Sequence, residues 1–176
     1  MHAVTIDAPR QSPAQTGAVT FASAVEACLD DVYGYLLYLT RNRTLAEDLT
    51  GETFETALRR WRKFDPHRGT ARAWLLAIAR STALDRFRAD SRRRRREEAS
   101  ASETREVAQE AFEGFSPELD AALRELTAGE REVIALRVVL DLDGDEAARL
   151  LGLTTTAVST RLHRALGKLE ERMKTP

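Results

Sequence analysis

The sequence predicts an all-α protein made of two small helical bundles joined by an acidic linker, the second bundle containing a helix-turn-helix. Composition is the first reason, because 27 Ala and 22 Leu stand against 3 Ile among 176 residues. Alanine and leucine favour helices, whereas strands are enriched in β-branched and aromatic residues. The second reason is that apolar residues recur at steps of three and four, the spacing of an amphipathic helix. The third is a series of turn and capping residues that divides the chain into short helices.

The first bundle is expected in residues 21–92, after a flexible arm in residues 1–20 that contains two prolines and scattered polar residues. Its second helix should begin at a capping box, because Thr44 is followed three residues later by Glu47. Its third helix should begin at Thr70, after a loop rich in turn residues. The expected helices are 21–41, 44–61 and 70–87, and the last of them can continue into the arginines that follow.

A linker is expected in residues 93–115, because most of this segment is rich in Glu, Ala and Ser and poor in apolar residues. The second bundle should occupy residues 116–172. Ser116 directly precedes Pro117, which is the pattern of an N-cap followed by proline in the first helical turn. Thr127 and Glu130 form another capping box.

A helix-turn-helix motif is expected in residues 145–170, where a short helix ends near Leu151 and Gly152 suits a tight turn. The longer helix that follows has a core stripe of Val158, Leu162, Ala165 and Leu169. Its opposite face carries hydroxyls and cations, which suits a helix lying in the major groove of DNA. The candidate DNA-binding residues there are Thr155, Thr156, Ser159, Thr160, Arg161, His163 and Arg164. The alternative is an ordinary helical hairpin whose outer face is solvated.

Charge is strongly segregated, although the net charge of the whole chain is −1. Residues 21–58 have a net charge of −5, residues 59–96 of +11 and residues 97–132 of −8. The segment 59–96 is therefore a candidate polyanion-binding surface, with a solvated helical face as the alternative. Trp61 and Trp74 lie among its cations, where they could stack on unpaired bases, but both also fall on apolar stripes and are better explained as core.

Several motifs together resemble the extracytoplasmic-function (ECF) subfamily of sigma-70 RNA polymerase sigma factors. Three stretches resemble region 2 of that family. They are AEDL and ETF within residues 46–54, WL and IAR within residues 74–80, and LDRFR at residues 84–88. Two further stretches look like region 4. They are LT and REVIALR within residues 126–137, and TAVSTRLHRA at residues 156–165. The resemblance covers about residues 22–92 and 117–172 in the family's order.

The resemblance implies a division of labour between the two bundles. The first bundle would dock on core RNA polymerase through Glu47, Asp48, Glu52 and Thr53. It would recognise and open the minus-ten promoter element with Lys63, Phe64, His67, Arg68, Arg72, Arg80, Asp85, Arg86 and Arg88. The second bundle would read the minus-thirty-five element through its helix-turn-helix. Such proteins direct promoter-specific transcription initiation, for example in a stress or envelope response, and an anti-sigma factor commonly holds them inactive.

Other classes of function are disfavoured. The chain has no Walker, G-x-S-x-G or H-E-x-x-H motif, which argues against an enzyme, a cofactor or a small-molecule substrate. The lone Cys28 excludes an internal disulfide and any multi-cysteine metal site. No apolar run is long enough for membrane insertion, so a cytoplasmic protein is expected. The remaining alternative is a stand-alone helix-turn-helix repressor or regulator that binds duplex DNA without polymerase.

Overall fold

The computed structural model describes residues 19–100 and 116–174, with the side chains of residues 97–100 left out of the description. In these ranges the chain forms seven α-helices and no strand, which confirms the all-α expectation. The helices are α1 (Phe21–Thr40), α2 (Arg43–Arg60), α3 (Ala71–Ser100), α4 (Pro117–Glu125), α5 (Ala128–Ile134), α6 (Gly144–Leu151) and α7 (Thr155–Lys174). None of these helices is both long enough and apolar enough to cross a membrane.

Capping residues explain where most helices begin. The hydroxyls of Thr70 and Ser116 accept hydrogen bonds from backbone amides three residues later, at 3.1 and 3.2 Å. Thr127 and Glu130 make the full reciprocal capping box, because each side chain accepts from the other residue's backbone amide. These three helix starts are therefore confirmed.

The capping box expected at Thr44 is wrong. Asn42 caps α2 instead, since its side-chain oxygen accepts from the Leu45 amide at 2.8 Å. The reason lies one residue earlier, where Arg41 adopts a left-handed backbone conformation with φ of 53° and ends α1. Only Arg41 and Asn42 then separate the two helices, and asparagine is among the best N-cap residues.

α3 is much longer than its apolar pattern, because it runs on through the arginines to Ser100. Its 30 residues contain no Gly or Pro, and Arg, Glu and Ala are good helix formers. Residues 93–100, expected as the start of a linker, are therefore helical. The rest of that expected linker, and the arm expected before residue 19, lie outside the described residues.

α1, α2 and α3 pack around a common core to form the first bundle. Its largest fully buried side chains are Val32, Tyr35, Leu36, Leu49, Leu75 and Leu76. At one end, four rings pack on one another, namely Phe21, Trp61, Phe64 and Trp74. Trp61 and Trp74 lie edge to face with their ring centroids 5.7 Å apart, so both tryptophans contribute to packing.

The second bundle is built from α4 to α7 and a π-helical turn at Ala135–Val139. Val133, Leu136, Leu142 and Val158 are its largest fully buried side chains. α6 ends at Gly152, whose φ of 66° allows the left-handed turn into α7. The expected helix-turn-helix is thus present.

The two bundles pack directly against each other. Their buried apolar residues form one continuous cluster, in which α1 lies against the π-helical turn and α3 approaches α6. The outer face of α7 and the basic end of α3 remain exposed. This arrangement decides which candidate residues are open to solvent.

Candidate nucleic-acid interface

The outer face of α7 carries the candidate groove-reading residues in exposed positions. Val158 and Ala165 are fully buried on the opposite side, so the core stripe turns the polar face outward. The exposed side chains are Thr155, Thr156, Ser159, Thr160, His163 and Arg164. Hydroxyl and basic side chains along one exposed helix face can donate to base edges and to phosphates.

Contacts with the rest of the second bundle position α7. The Thr155 hydroxyl donates to the Asp145 carboxylate at 2.8 Å, which links the start of α7 to α6. Lys168 pairs with Glu130 at 2.6 Å, which links the far half of α7 to α5. The Lys168 hydrogen bond and the backbone amide of Thr127 hold the pKa of Glu130 below its usual value.

Arg161 is half-buried and lies over the first turn of α5. A Cβ atom added at Gly129 would stand 3.0 Å from an Arg161 guanidinium nitrogen, so glycine leaves the room that this side chain occupies. Arg161 and Arg164 line a shallow cleft between α5 and α7. Both cations therefore flank the exposed face of α7 on the α5 side.

The loop before α3 also presents cations. Lys63, His67 and Arg68 are exposed. Phe64 is half-buried and stacks on Trp61 with ring centroids 4.9 Å apart. The aromatic cluster thus fixes the start of this loop while its charged side chains face solvent.

The middle of α3 continues this basic surface. Arg86 pairs with Asp90 at 3.4 Å, and Arg88 pairs with Asp85 at 3.2 Å. Exposed ion pairs of this kind contribute little stability, so the cations can exchange these partners for phosphates. Asp85 is itself exposed, next to Arg88.

Two other candidate residues of the first bundle are held by the second bundle. Arg80 makes a forked contact to Glu132 on α5, with nitrogen–oxygen distances of 2.6 and 3.3 Å. Arg72 donates to the Leu140 carbonyl at 2.6 Å and pairs with Asp31 at 2.5 Å. In this arrangement both guanidinium groups are engaged by groups of the second bundle.

Sequence reasoning missed the residues that join the bundles. The Tyr35 hydroxyl also donates to Glu132, at 3.1 Å, and burial together with this carboxylate raises the pKa of Tyr35 well above its usual value. Arg41 and Asp120 form a second ion pair between the bundles, with each side chain 8% exposed. A carboxylate inside the apolar stretch around Glu132 is the local signal that could have been noticed.

The acidic face of α2 is the candidate polymerase-binding surface. Glu47, Asp48 and Glu52 are exposed, and Glu47 borders a shallow groove next to the exposed Leu29. Thr53 does not belong to this surface. Its side chain is fully buried, and its hydroxyl donates to the Leu49 carbonyl at 2.7 Å.

Metal and thiol chemistry find no support in the residues that the structure describes. They contain no cluster of three or more His, Cys, Asp or Glu side chains that could hold a metal ion. Cys28 is buried in α1, and its burial together with the nearby Asp31 raises the pKa of its thiol. A raised pKa disfavours the reactive thiolate.

Comparison with known proteins gives the same two modules. The family model for sigma-70 region 2 matches residues 24–94, and the model for sigma-70 region 4 matches residues 116–169. The ECF sigma factor SigC of Mycobacterium tuberculosis is 32% identical over 143 residues, covering 80% of this chain and 76% of SigC. The ECF sigma factor BldN of Streptomyces coelicolor is 32% identical over 162 residues, covering 89% of this chain but only 61% of the length of BldN.

Solved structures agree on the fold. The sigma factor RpoE of Bartonella quintana, solved in complex with the anti-sigma factor NepR, superposes with a TM-score of 0.74 at 24% identity. The match covers 88% of this chain and 97% of that one. The same helical architecture therefore recurs across most of both chains.

Proposed function

Because this chain belongs to the ECF subfamily of sigma-70 RNA polymerase sigma factors, we propose that it binds core RNA polymerase and directs promoter-specific initiation of transcription. The proposal depends on three surfaces that occur in one chain. They are the exposed face of hydroxyls and cations on α7, the basic surface on α3 and the acidic face of α2. A sigma factor needs all three, since it contacts DNA at two places and polymerase at a third. It acts without a cofactor and carries out no catalysis of its own.

The second bundle reads duplex DNA at the minus-thirty-five element. α7 lies in the major groove, and Thr156, Ser159 and Thr160 in its first half face the base edges. Arg161 and Arg164 contact phosphates or guanines beside them. His163 and Thr155 complete the exposed face.

The first bundle recognises and opens the minus-ten element. Lys63, His67 and Arg68 follow the phosphates of the separated strand, while Arg86 and Arg88 on α3 extend the path. Phe64 offers an aromatic edge to an extruded base while Trp61 and Trp74 support it from behind. Asp85 is already exposed on this surface beside Arg88, and Arg72 and Arg80 join it when the second bundle moves away from α3.

The acidic face of α2 docks on core polymerase. Asp48→Arg reverses a charge on this exposed face and should weaken core binding at least about ten-fold, because like charges across an interface are strongly unfavourable. Glu118→Arg on the exposed start of α4 makes the same change of charge elsewhere and should bind normally. Full retention of core binding by folded Asp48→Arg would contradict this docking face.

An anti-sigma factor is the proposed inhibitor, and the cytoplasm, where polymerase acts, is the proposed location. Support comes from the Bartonella quintana sigma factor of the same fold, which was captured with its anti-sigma factor. A role in a stress or envelope response follows from the subfamily and belongs to the same proposal.

Run-off transcription tests the proposal. Purified core polymerase is incubated with and without this protein on fragments of the genome that encodes it. Transcripts with defined starts that require both components are the expected result, and their upstream sequences give the promoter elements. Tight duplex binding by the protein alone, with no transcript and no binding to core, would instead identify a stand-alone repressor.

A further inference from the structure

We propose that the arginine-rich end of α3, residues 88–96, is a third DNA contact, which binds phosphates of the duplex between the minus-ten and minus-thirty-five elements. The inference rests on the proposed function, since it requires that both elements are bound by one chain. It gives a ligand to the run of five arginines at residues 92–96, which the two promoter contacts described above do not use.

This end of α3 projects beyond the first bundle. Ala83 is buried and Phe87 packs against the core, so the apolar stripe of α3 reaches that far. The next position of the same stripe is Ser91, whose side chain is exposed, as are all side chains of residues 91–96. The bundle therefore ends near Phe87, while the helix continues into solvent.

The projecting segment is unusually rich in like charges for a helix. Residues 88–96 contain six arginines and a single carboxylate, that of Asp90. Like charges one turn apart, such as Arg92 and Arg96, destabilise a helix, and an isolated helix of about this length is only marginally stable in water. A polyanion bound along the segment removes this repulsion.

The arginine run continues the basic surface that is assigned to promoter DNA. Arg88 belongs to the proposed minus-ten contact, and Arg92 and Arg95 follow it at steps of four and three, on the same face of α3. At 1.5 Å per residue, this stripe advances about 10 Å, or about three base pairs of duplex. The continuity favours DNA as the polyanion over an acidic protein.

The course of the chain places this stripe upstream of the minus-ten element. The two elements are about 25 base pairs apart, or about 85 Å of duplex. The 16 peptide steps from Ser100 to Ser116 can span at most about 55 Å. Part of the remaining distance is covered if α3 ends towards the upstream element, since its residues 88–100 add about 18 Å.

The contact is to phosphates and is independent of base sequence. A guanidinium donates two parallel hydrogen bonds to a phosphate, and adjacent arginines add electrostatic affinity along the strand. The segment has no other side chain suited to reading base edges in register, because only Ala89, Asp90 and Ser91 separate the arginines. The affinity of the complex should therefore depend on the charge of the spacer.

The test removes charge from either side of the contact. Holoenzyme is assembled from core polymerase and the full-length protein, and its affinity for a fluorescein-labelled promoter fragment recovered by run-off transcription is measured by anisotropy. A second fragment carries uncharged methylphosphonates over about five base pairs directly upstream of the minus-ten element, the length that residues 88–100 cover.

The test variant is Arg92→Gln with Arg95→Gln, which keeps good helix formers in α3. The matched control is Arg172→Gln with Lys174→Gln, which removes the same charge from the exposed end of α7. Circular dichroism checks that both variants are folded.

We expect the wild type and the control to bind the neutralised fragment about ten-fold more weakly than the natural one, because the loss of two phosphate contacts has an effect of this order. The test variant should bind both fragments with the same, weaker affinity. A wild type that is indifferent to the spacer charge would overturn the proposal. So would a test variant that is as sensitive to that charge as the wild type.

Two further readings in the same samples separate the possible failures. A test variant that loses affinity for core polymerase without DNA would mean that the arginines hold an acidic surface of polymerase, which overturns the proposal. A wild type that directs run-off transcription but is indifferent to the spacer charge keeps the proposed function and loses only the spacer contact. Failure of transcription and of core binding by the wild type would contradict the proposed function, and the spacer contact with it.

Discussion

α3 and α7 are the two helices expected to meet DNA, and they present their cations differently. On α7, Arg164 and the hydroxyls around it are exposed, and Thr155 is tied only to a neighbouring helix of its own bundle. On α3, Arg72 and Arg80 are taken by Leu140 and Glu132 of the other bundle. One proposed DNA surface is therefore exposed, and the other is partly covered by the second bundle.

The difference shows that exposure in a two-bundle protein is set by how the bundles pack as well as by each helix. Both helices carry a basic face in sequence, and hydrophobic periodicity alone would place both faces in solvent. The Glu132 carboxylate causes this difference in exposure, because it pairs with Arg80 on α3 and with no arginine of α7.

The largest expected effect separates packing from base stacking at the start of α3. Trp74→Ala should lower the free energy of unfolding by about 3 kcal/mol, because it leaves a cavity in the aromatic cluster with Trp61 and Phe64. Thr156→Ala on the open face of α7 should change it by less than about 0.5 kcal/mol. Urea unfolding measures both values, and Trp74→Phe should restore most of the loss. A fully stable Trp74→Ala variant that binds single strands poorly would mean that the ring faces DNA.

The next effect concerns DNA binding by the exposed face of α7. Arg164→Ala should weaken binding to a minus-thirty-five duplex by about ten-fold or more, since a base or phosphate contact by arginine contributes about 1–3 kcal/mol. Arg172→Ala is the control, because this exposed arginine lies on the same helix but pairs with Glu125. Fluorescence anisotropy on promoter fragments recovered by run-off transcription gives the affinities. Equal affinities for the two variants would remove α7 as the reading helix.

A third effect concerns the exposed end of α3, in contrast with Arg72 and Arg80, which contact the second bundle. Arg94 and Arg95 are exposed and have no hydrogen-bond or ion-pair partner among the described side chains. If both contact phosphates, Arg94→Gln with Arg95→Gln should reduce the slope of log affinity against log salt by about 1–2. The double variant Arg172→Gln with Lys174→Gln removes the same charge from the end of α7 and should leave the slope nearly unchanged. An unaltered slope in the first variant would show that these arginines are merely solvated.

The smallest expected effect tests how Glu130 holds α7 in place against α5. Glu130 accepts the Thr127 amide and pairs with Lys168, and its pKa is lowered. A lowered pKa stabilises the folded state above the unfolded value, near 4.5, and this contribution is lost as the pH falls through the folded pKa. Glu130→Gln should therefore cost about 1 kcal/mol at neutral pH and progressively less in acid.

Thermal unfolding between pH 3 and 7 measures how the stability difference between wild type and Glu130→Gln decreases as the pH falls. Glu125→Gln is the control for an exposed ion pair. A constant difference between wild type and Glu130→Gln across this range would show that the charge of Glu130 has no part in it.

Local features of the fold could be predicted from the sequence, and features that depend on distant partners could not. The caps at Thr70, Ser116 and Thr127 and the turn at Gly152 each depend on a few neighbouring residues, and all are confirmed. The wrong helix start at Thr44 followed from two good caps standing two residues apart. Only the left-handed turn at Arg41 decides between them.

The contacts between the bundles lie beyond local patterns. Arg80 and Glu132 are 52 residues apart, and Arg41 and Asp120 are 79 apart. Arg80, Glu132 and Asp120 are ordinary residues of their helices, and Arg41 lies in the turn after α1, so neither periodicity nor capping reveals these pairs. The burial of Thr53 was missed for a related reason, because a small threonine between exposed acidic residues fits the surface of α2 as well as its core.

Hydroxyl-radical footprinting of the promoter complex formed with core polymerase shows whether one chain engages two DNA elements through its two bundles. We expect two protected patches about 25 base pairs apart. Arg164→Ala should weaken only the upstream patch, and Arg86→Ala only the downstream one. A single continuous patch, or one that both variants weaken equally, would show that the two bundles do not read separate elements.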